Sequence, residues 1–211
     1  MKIEIVMGLG EWRDSASLIA MFEDRKRLFV DLMDWDVPVI EGRFEMDGFD
    51  DGHCVYLIAG DVDGAHLGSM RLLPTERPHL LDMLFRDLVE GAVPRGRDVW
   101  EITRLCLPTR LGAARRLVVR NRLISAMVDH ALVEGITMLT GVVAAGFRRQ
   151  VLDMGWRGWA LGPDAVVSGQ LLGAFAIAID PMTPGLLRAT GIYSENFTPI
   201  RAVARTHVAE A

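Results

Sequence analysis

The chain is poor in the residues that mark the commonest functional sites. Of its 211 residues, two are cysteine and five histidine. Cys54 and Cys106 each lie in an apolar, strand-like run. That placement excludes a disulfide framework and reads as reduced core thiols in a reducing compartment. His53, His66, His79, His130 and His207 fall at no metal-ligand spacing. "DGFDDG" (47–52) opens like a calcium loop, but its third position is Phe49 and its twelfth Ile58, where ligand oxygens are required. No metal site is expected. G-x-S-x-G, Walker A and G-x-G-x-x-G are all missing, so hydrolase, NTPase and dinucleotide readings lose their usual support. The longest apolar stretch, "LLGAFAIAI" (171–179), is too short to span a bilayer. "MKIEIVMGLG" puts charges through any would-be signal core. A cytoplasmic protein without a membrane partner is expected. Basic excess is also lacking: 23 Lys+Arg face 28 Asp+Glu, for a net charge of -5, which disfavours nucleic acid as a partner.

What is present is an ordinary globular composition, 50% hydrophobic and 24% charged. The length suits one substantial core, and no repeat, low-complexity tract or linker interrupts it. One domain over 1–211 is expected, with no element assigned to the tail 197–211. The charge is uneven. Segment 41–51 holds Glu41, Glu45, Asp47, Asp50 and Asp51 against Arg43. Segment 95–122 holds eight arginines against Asp98 and Glu101. A basic face on an acidic protein suits an acidic or phosphorylated partner; the plainer alternative is a solvated helix face.

Hydrophobic periodicity gives the elements. "KIEIVM" alternates as a strand, and 13–33 carries apolar residues at helical spacing with Ser15 or Ser17 as cap. Residues 34–52 read as a long irregular loop. "CVYLIAG" and "HLGSMRLLP" are strands joined by a "DVDG" turn. "PHLLDMLFRDLV" reads as a short helix and "DVWEITRLCLP" as a strand. Residues 112–134 form the longest helix, with Leu117, Ile124, Met127, Val128 and Ala131 on one stripe. "ITMLTGVVA" is a strand, "GFRRQVLDMG" a helix stopped by Gly155, "WRGWALG" and "AFAIAID" the last strands, and "PMTPGLLRATG" a terminal helix. This order predicts an α/β protein, a single-domain α-β-α sandwich around a central mixed sheet.

Several charges stand where a strand should be apolar. Arg71 lies inside "GSMRLLP", and Glu101 and Arg104 inside "VWEITRLCL". Alternation puts Glu101 and Thr103 on one face and Arg104 on the other, unless a bulge intervenes. Such charges are paired or face a site. A structural ion-pair network with the acids at 45–50 and a substrate site both remain open. Phe29 and Trp35 equally suit plain core packing.

Taken in order, Arg25-x3-Phe29-x5-Trp35, Glu45-x-Asp47-x2-Asp50, "RLLPT" (71–75), Phe85 and "WEITR" (100–104) resemble the acyl-homoserine-lactone synthases, the LuxI-type autoinducer synthases. The resemblance spans 25–104 and is looser beyond, although "GFRRQVLDMGW" (146–156) looks like that family's helix leading to a Gly-Trp. It implies a fold like the N-acetyltransferases. It also implies an acyltransferase that joins two substrates without a cofactor. The α-amine of S-adenosylmethionine attacks a fatty acyl thioester on acyl carrier protein or coenzyme A. Its carboxylate then displaces methylthioadenosine and closes the lactone of a quorum-sensing signal.

That chemistry can be laid on these residues. An α-amine of pKa ~8 needs a base, and Glu101 or Asp47 fits. Asp47 and Asp50 suit a sulfonium and ammonium pocket, Arg25, Arg71 or Arg104 the carboxylate and the network around it, and Phe29 and Trp35 an aromatic wall. Glu101 alternatively only holds Arg104 or Arg25 in place. Phe85, Ile102, Met127, Val143, Ala144 and Leu152 are acyl-pocket candidates. Ala144 stands where a hydroxyl residue accompanies 3-oxo chains in the family, and Ile102 where many members have a small hydroxyl residue, so an unsubstituted chain is favoured. Arg110, Arg115, Arg116, Arg120, Arg122, Arg148 and Arg149 form a candidate docking face for the acidic carrier or for coenzyme A.

Two other readings compete. "PTRLGAARR" partly imitates the pyrophosphate loop of an N-acetyltransferase acting on another amine. A degenerate synthase fold serving as a binding module is the third.

Overall fold

The computed structural model describes residues 1–194 and the backbone of a strand at 200–203. The rest of the 197–211 tail, His207 included, lies outside the described residues. In chain order the elements are β1 (Lys2–Met7), a 3-10 turn (Trp12–Asp14), α1 (Ala16–Arg25) running on into a π-helical segment (Lys26–Leu32), β2 (Val39–Ile40), β3 (Phe44–Glu45), β4 (Val55–Gly60) and β5 (His66–Pro74). Then come α2 (Leu80–Met83), a 3-10 turn (Arg86–Leu88), β6 (Val99–Cys106), α3 (Ala113–Glu134), β7 (Met138–Ala144), α4 (Ala145–Leu152), β8 (Arg157–Ala160), β9 (Ala165–Val167), β10 (Gln170–Ala178), α5 (Thr183–Ala189) and β11 (Ile200–Val203). The class is mixed α/β, and its strands pair mostly antiparallel. Among the described residues no helix is long and apolar enough to cross a membrane.

The chain forms two compact units, and neither is one continuous piece of sequence. Of the described residues, the first takes 1–71, 104–126 and the strand at 200–203. Its strand order is β11-β1-β4-β5, with β1 antiparallel to β4 and parallel to β11. Ile3, Ile5, Val55, Leu57 and Ala59 are buried in these strands, and α1 buries Leu18, Met21 and Phe22. The Ser15 hydroxyl caps α1 by accepting from the Leu18 amide at 3.3 Å. The expected loop at 34–52 contains the short β2–β3 ladder.

The second unit takes residues 72–103 and 127–194 of the described chain. Here β6 pairs in parallel with β7, and β7, β10 and β8 follow antiparallel, with β9 also paired to β10. β9 has no counterpart in the sequence reading, because three residues are too few to show a period. The helix expected over 78–89 breaks after one turn into α2 and the 3-10 turn. Gly141 is closely packed: a Cβ there would lie 2.7 Å from the Phe175 ring and 3.2 Å from the Ile102 carbonyl oxygen.

Candidate functional site

In the first unit, Arg25, Arg71 and Arg104 each find an acid from the 45–50 segment. Arg25, at the end of α1, donates from Nε to Glu45 Oε2 at 2.6 Å and from both terminal nitrogens to Asp50 at 2.8 and 2.9 Å. Arg71 on β5 forks onto Asp47 at 2.6 and 3.1 Å and also lies 2.8 Å from Asp50 Oδ1. Arg104 donates from Nη2 to Glu45 Oε1 at 3.0 Å and to Asp47 Oδ2 at 2.7 Å. Three guanidiniums and three carboxylates thus balance in one closed network. Arg25, Glu45, Asp50 and Arg71 are fully buried, while the Asp47 and Arg104 side chains keep 10% and 8% of their surface. Those two are the rim.

The backbone sets this arrangement up. Arg104 has φ +50°, a left-handed conformation that non-glycine residues rarely adopt. The strand alternation breaks there, which is how its side chain reaches these acids. The amide of Asp47 donates to Asp50 Oδ2 and that of Phe49 to Asp47 Oδ1, so the acidic loop is folded on its own carboxylates. Phe29 sits in the π-helical segment and stacks on Trp35, centroids 4.8 Å apart and planes 9° apart. The Arg104 guanidinium lies 5.7 Å from the Phe29 centroid and 5.9 Å from that of Trp35. The aromatic pair already serves one cation of the network.

The ionisation follows. Burial opposes charge on Asp50, yet the Arg25 and Arg71 guanidiniums outweigh it and hold that carboxyl well below the usual range. Asp47 is also held low: burial resists, and the Arg71 hydrogen bond and the charges of Arg71 and Arg104 prevail. Burial and the Asp50 charge keep the Tyr56 phenol protonated, and it donates to Asp50 Oδ1 at 2.8 Å. Burial pushes the Cys54 thiol up to about 11, and Cys106 higher still, so neither is a nucleophile at neutral pH.

In the second unit Glu101 is buried on β6. Its Oε2 accepts the Leu80 amide at 2.8 Å and its Oε1 the Leu81 amide at 2.9 Å. It therefore closes the open N-terminus of α2. Phe85 packs on a separate apolar cluster of Leu81, Leu88, Val89 and Ala174, along with Val142, Leu161 and Leu172. Of the other pocket candidates, Ala144 pairs in register with Leu172 of this cluster and is itself exposed. Val142 opposes Ala174 on the same ladder, so Val143, the expected residue, faces the other way. Ile102, Met127 and Leu152 are not part of this cluster. Met127 is buried, while Ile102 and Leu152 are half-buried.

The proposed docking arginines divide. Arg110 clamps Asp24 through both terminal nitrogens at 2.6 and 2.7 Å. Arg148 donates to the Gly162 carbonyl at 2.8 Å and pairs with Asp164 at 2.7 Å, over a glycine at 173 whose Cβ would strike it. Those two are engaged within their own units, with the Arg110 side chain still 48% exposed. Arg115 and Arg149 are exposed; Arg116, Arg120 and Arg122 are half-buried. Leu117 leaves the expected apolar stripe and is 49% exposed. Among the described residues no cluster of His, Cys, Asp and Glu is placed to hold a metal.

The sequence profile of the autoinducer synthases matches residues 11–175. The chain belongs to that family. An acyl-homoserine-lactone synthase of Ralstonia nicotianae is 34% identical over 179 residues, 82% of this chain and 87% of that one. The solved structure of TofI, in a ternary complex with an inhibitor and MTA, is 28% identical with a TM-score of 0.73, covering 89% of this chain and 97% of its own. The coenzyme A-dependent synthase BjaI, solved with SAM and isopentyl-CoA, gives a TM-score of 0.80 at 23% identity over 96% and 92% of the two chains. An acyl-CoA N-acyltransferase of Pseudomonas aeruginosa gives 0.57 at 15% identity, over 83% and 99%, a likeness of fold.

This autoinducer synthase also contains parts that its sequence did not flag. Tyr56 is one, although it is the single polar-tipped side chain in "CVYLIAG". Asp24 is another. It accepts from His66 Nδ1 at 2.7 Å and from Arg27 at 2.9 Å as well as from Arg110, and is almost wholly buried. Burial opposes its ionisation, but the hydrogen bonds from His66 and Arg110 hold it well below the usual range. An acid and a base side by side, Asp24 and Arg25, both on the inward side of one helix, were the available signal.

Proposed function

We propose that the protein is an acyl-homoserine-lactone synthase, an acyltransferase that makes a quorum-sensing signal. The α-amine nitrogen of S-adenosylmethionine attacks the thioester carbonyl, a C–N bond forms, and the carrier thiol leaves with a proton. The methionine carboxylate then attacks the carbon bearing the sulfonium. A C–O bond replaces the C–S bond, and methylthioadenosine departs with the electron pair. Both substrates are consumed, so no resident cofactor is needed. The reaction belongs in the cytoplasm, where acyl thioesters and S-adenosylmethionine are made, and the whole chain acts as one domain.

One observation carries the reading: the balanced Arg25–Glu45–Asp50–Arg71–Asp47–Arg104 network, with Asp47 and Arg104 on its rim beside the Phe29–Trp35 stack. A cationic substrate with a carboxylate needs an acid, a guanidinium and an aromatic face together, and the rim presents all three. The buried members hold the rim in place. Asp47 accepts from two guanidiniums, which suits it to binding a cation rather than removing a proton. Glu101 is bonded by neutral amides, so we assign it the base, acting directly or through water. The apolar cluster around Phe85, Val142 and Leu172 is assigned to the acyl chain.

Purified protein with S-adenosylmethionine and a panel of acyl-carrier and acyl-coenzyme A thioesters tests this. Methylthioadenosine release, with a homoserine-lactone fragment in the product mass spectrum, is expected. Release with none of the donors would overturn it.

A further inference from the structure

Tyr56 on β4 joins the charged network from behind, and it brings no charge. Its ring is fully buried and meets Phe22 of α1 edge to face, centroids 5.9 Å apart. Its neighbours along the strand, Val55 and Leu57, are apolar and buried. Phenylalanine would fill the same space. A buried hydroxyl costs free energy unless it is bonded, and one good bond does little more than offset that cost. Fold stability alone therefore gives little reason for an oxygen at this position.

The partner of that oxygen supplies a better one. The hydroxyl donates to Asp50 Oδ1 at 2.8 Å. The same Oδ1 accepts from Arg25 Nη1 at 2.8 Å and lies 2.8 Å from Arg71 Nη1. Asp50 Oδ2 accepts from Arg25 Nη2 and from the Asp47 amide, each at 2.9 Å. The Asp50 amide in turn donates to the Asp47 carbonyl at 3.0 Å, so the two aspartates clasp one another. Turning the Asp50 carboxylate about its Cβ–Cγ bond would withdraw Oδ2 from the Asp47 amide and open the clasp. The phenol restrains Oδ1 from the β4 side and opposes that turn. It does so without upsetting the balance of three guanidiniums and three carboxylates, because burial and the Asp50 charge keep it protonated. A lysine or arginine at 56 would add an unmatched charge, and a phenylalanine would add no restraint.

We infer that Tyr56 is a positioning residue of the S-adenosylmethionine site: through Asp50 it sets where Asp47 stands for the cation. This rests on the synthase reading above. Tyr56 is fully buried and acts only through Asp50.

The test measures S-adenosylmethionine affinity by calorimetry and the kinetics of methylthioadenosine release, on the whole protein. Tyr56→Phe should raise the Kd and KM for S-adenosylmethionine about tenfold, the worth of one hydrogen bond to a charged group. The kcat and the KM for the acyl donor should stay near their native values. Ser15→Ala removes the cap of α1 in the same unit. It should lower the melting temperature without moving either S-adenosylmethionine constant, which separates positioning from loss of stability. In an Asp47→Asn background, Tyr56→Phe should add nothing further, because the group it positions has lost its charge. Assays in the cold with sucrose keep weakened variants folded. Tyr56→Met, a flexible filler without a hydroxyl, carries the test if Tyr56→Phe still melts too low. An unchanged S-adenosylmethionine affinity in the hydroxyl-free variants overturns the assignment, as does an equal rise in Ser15→Ala or a full additional loss on top of Asp47→Asn. If the native protein binds no S-adenosylmethionine, the site reading fails and the role of Tyr56 falls with it. If the native protein binds and Tyr56→Phe binds equally well, only the role of Tyr56 falls.

Discussion

The charged network of the first unit and the apolar cluster of the second are built to opposite rules. In the network each member has a named partner within 3.4 Å, and removing one strands another in a place water cannot reach. In the cluster of Leu81, Leu88, Val89 and Ala174, any side chain of similar volume serves, because dispersion and burial are not directional. The network can therefore hold a rim in one geometry. The cluster can change the shape of its lining without losing the fold, as the acyl site proposed for it requires.

The sharpest way to break that contrast is Arg25→Met. It leaves Glu45 and Asp50 with fewer donors in a dry site and should destabilise by about 3–5 kcal/mol. The melting temperature should fall on the order of 10 °C. A thermal melt checks it, and a fall of a degree or two would show that the network is not structural.

Glu101→Gln should lower kcat by roughly 10²-fold or more, the usual worth of a positioned base, with a smaller change in melting. Asp47→Asn should instead raise the KM for S-adenosylmethionine. Steady-state methylthioadenosine release separates the two, and identical profiles would remove the distinction between base and cation holder.

Acid should unfold the first unit through its buried aspartates. Asp24, Asp47 and Asp50 all have folded-state values below the ordinary carboxyl range. Their contribution is therefore fully present above about pH 4 and is lost as pH falls through the folded-state values. Asp24→Asn should flatten this dependence by on the order of 2 kcal/mol, read from denaturant melts between pH 6 and pH 2. An unchanged slope would show that Asp24 is not held ionised.

The smallest effect belongs to the cluster. Val142→Ala should cost only about 1–2 kcal/mol and shift the product series toward different acyl lengths, seen by mass spectrometry. The same change at Val143, on the opposite face, should leave the series alone.

The residues of the network were legible in the sequence because buried charges contradict their surroundings. Arg71 and Glu101 interrupt apolar strands, and Arg104 violates alternation, which the left-handed backbone at that residue resolves. Which charge meets which was not legible. Arg110 and Asp24 are 86 positions apart, and nothing local distinguishes a clamped arginine from a docking one. Which valine packs on the Phe85 cluster was not legible either: it is Val142 rather than Val143, because strand faces alternate with period two and a shift of one residue reverses the face. The early end of the helix expected over 78–89 was equally hidden. Its apolar spacing continues through Leu84 and Phe85, while only the first turn has its amides met by Glu101.

The space over Gly173 ties two distant positions together. A methyl group there would lie 2.8 Å from Arg148 and 2.4 Å from Asp164. Alanine at 173 would push both side chains aside, whereas a short residue at 148 would open the space above the glycine to water. Both groups that would be struck end flexible, partly exposed side chains, so the loss falls on the Arg148–Asp164 pair rather than on the fold. A mutational library that varies 148 and 173 jointly should therefore show the two positions covarying, with arginine at 148 favoured where 173 is glycine.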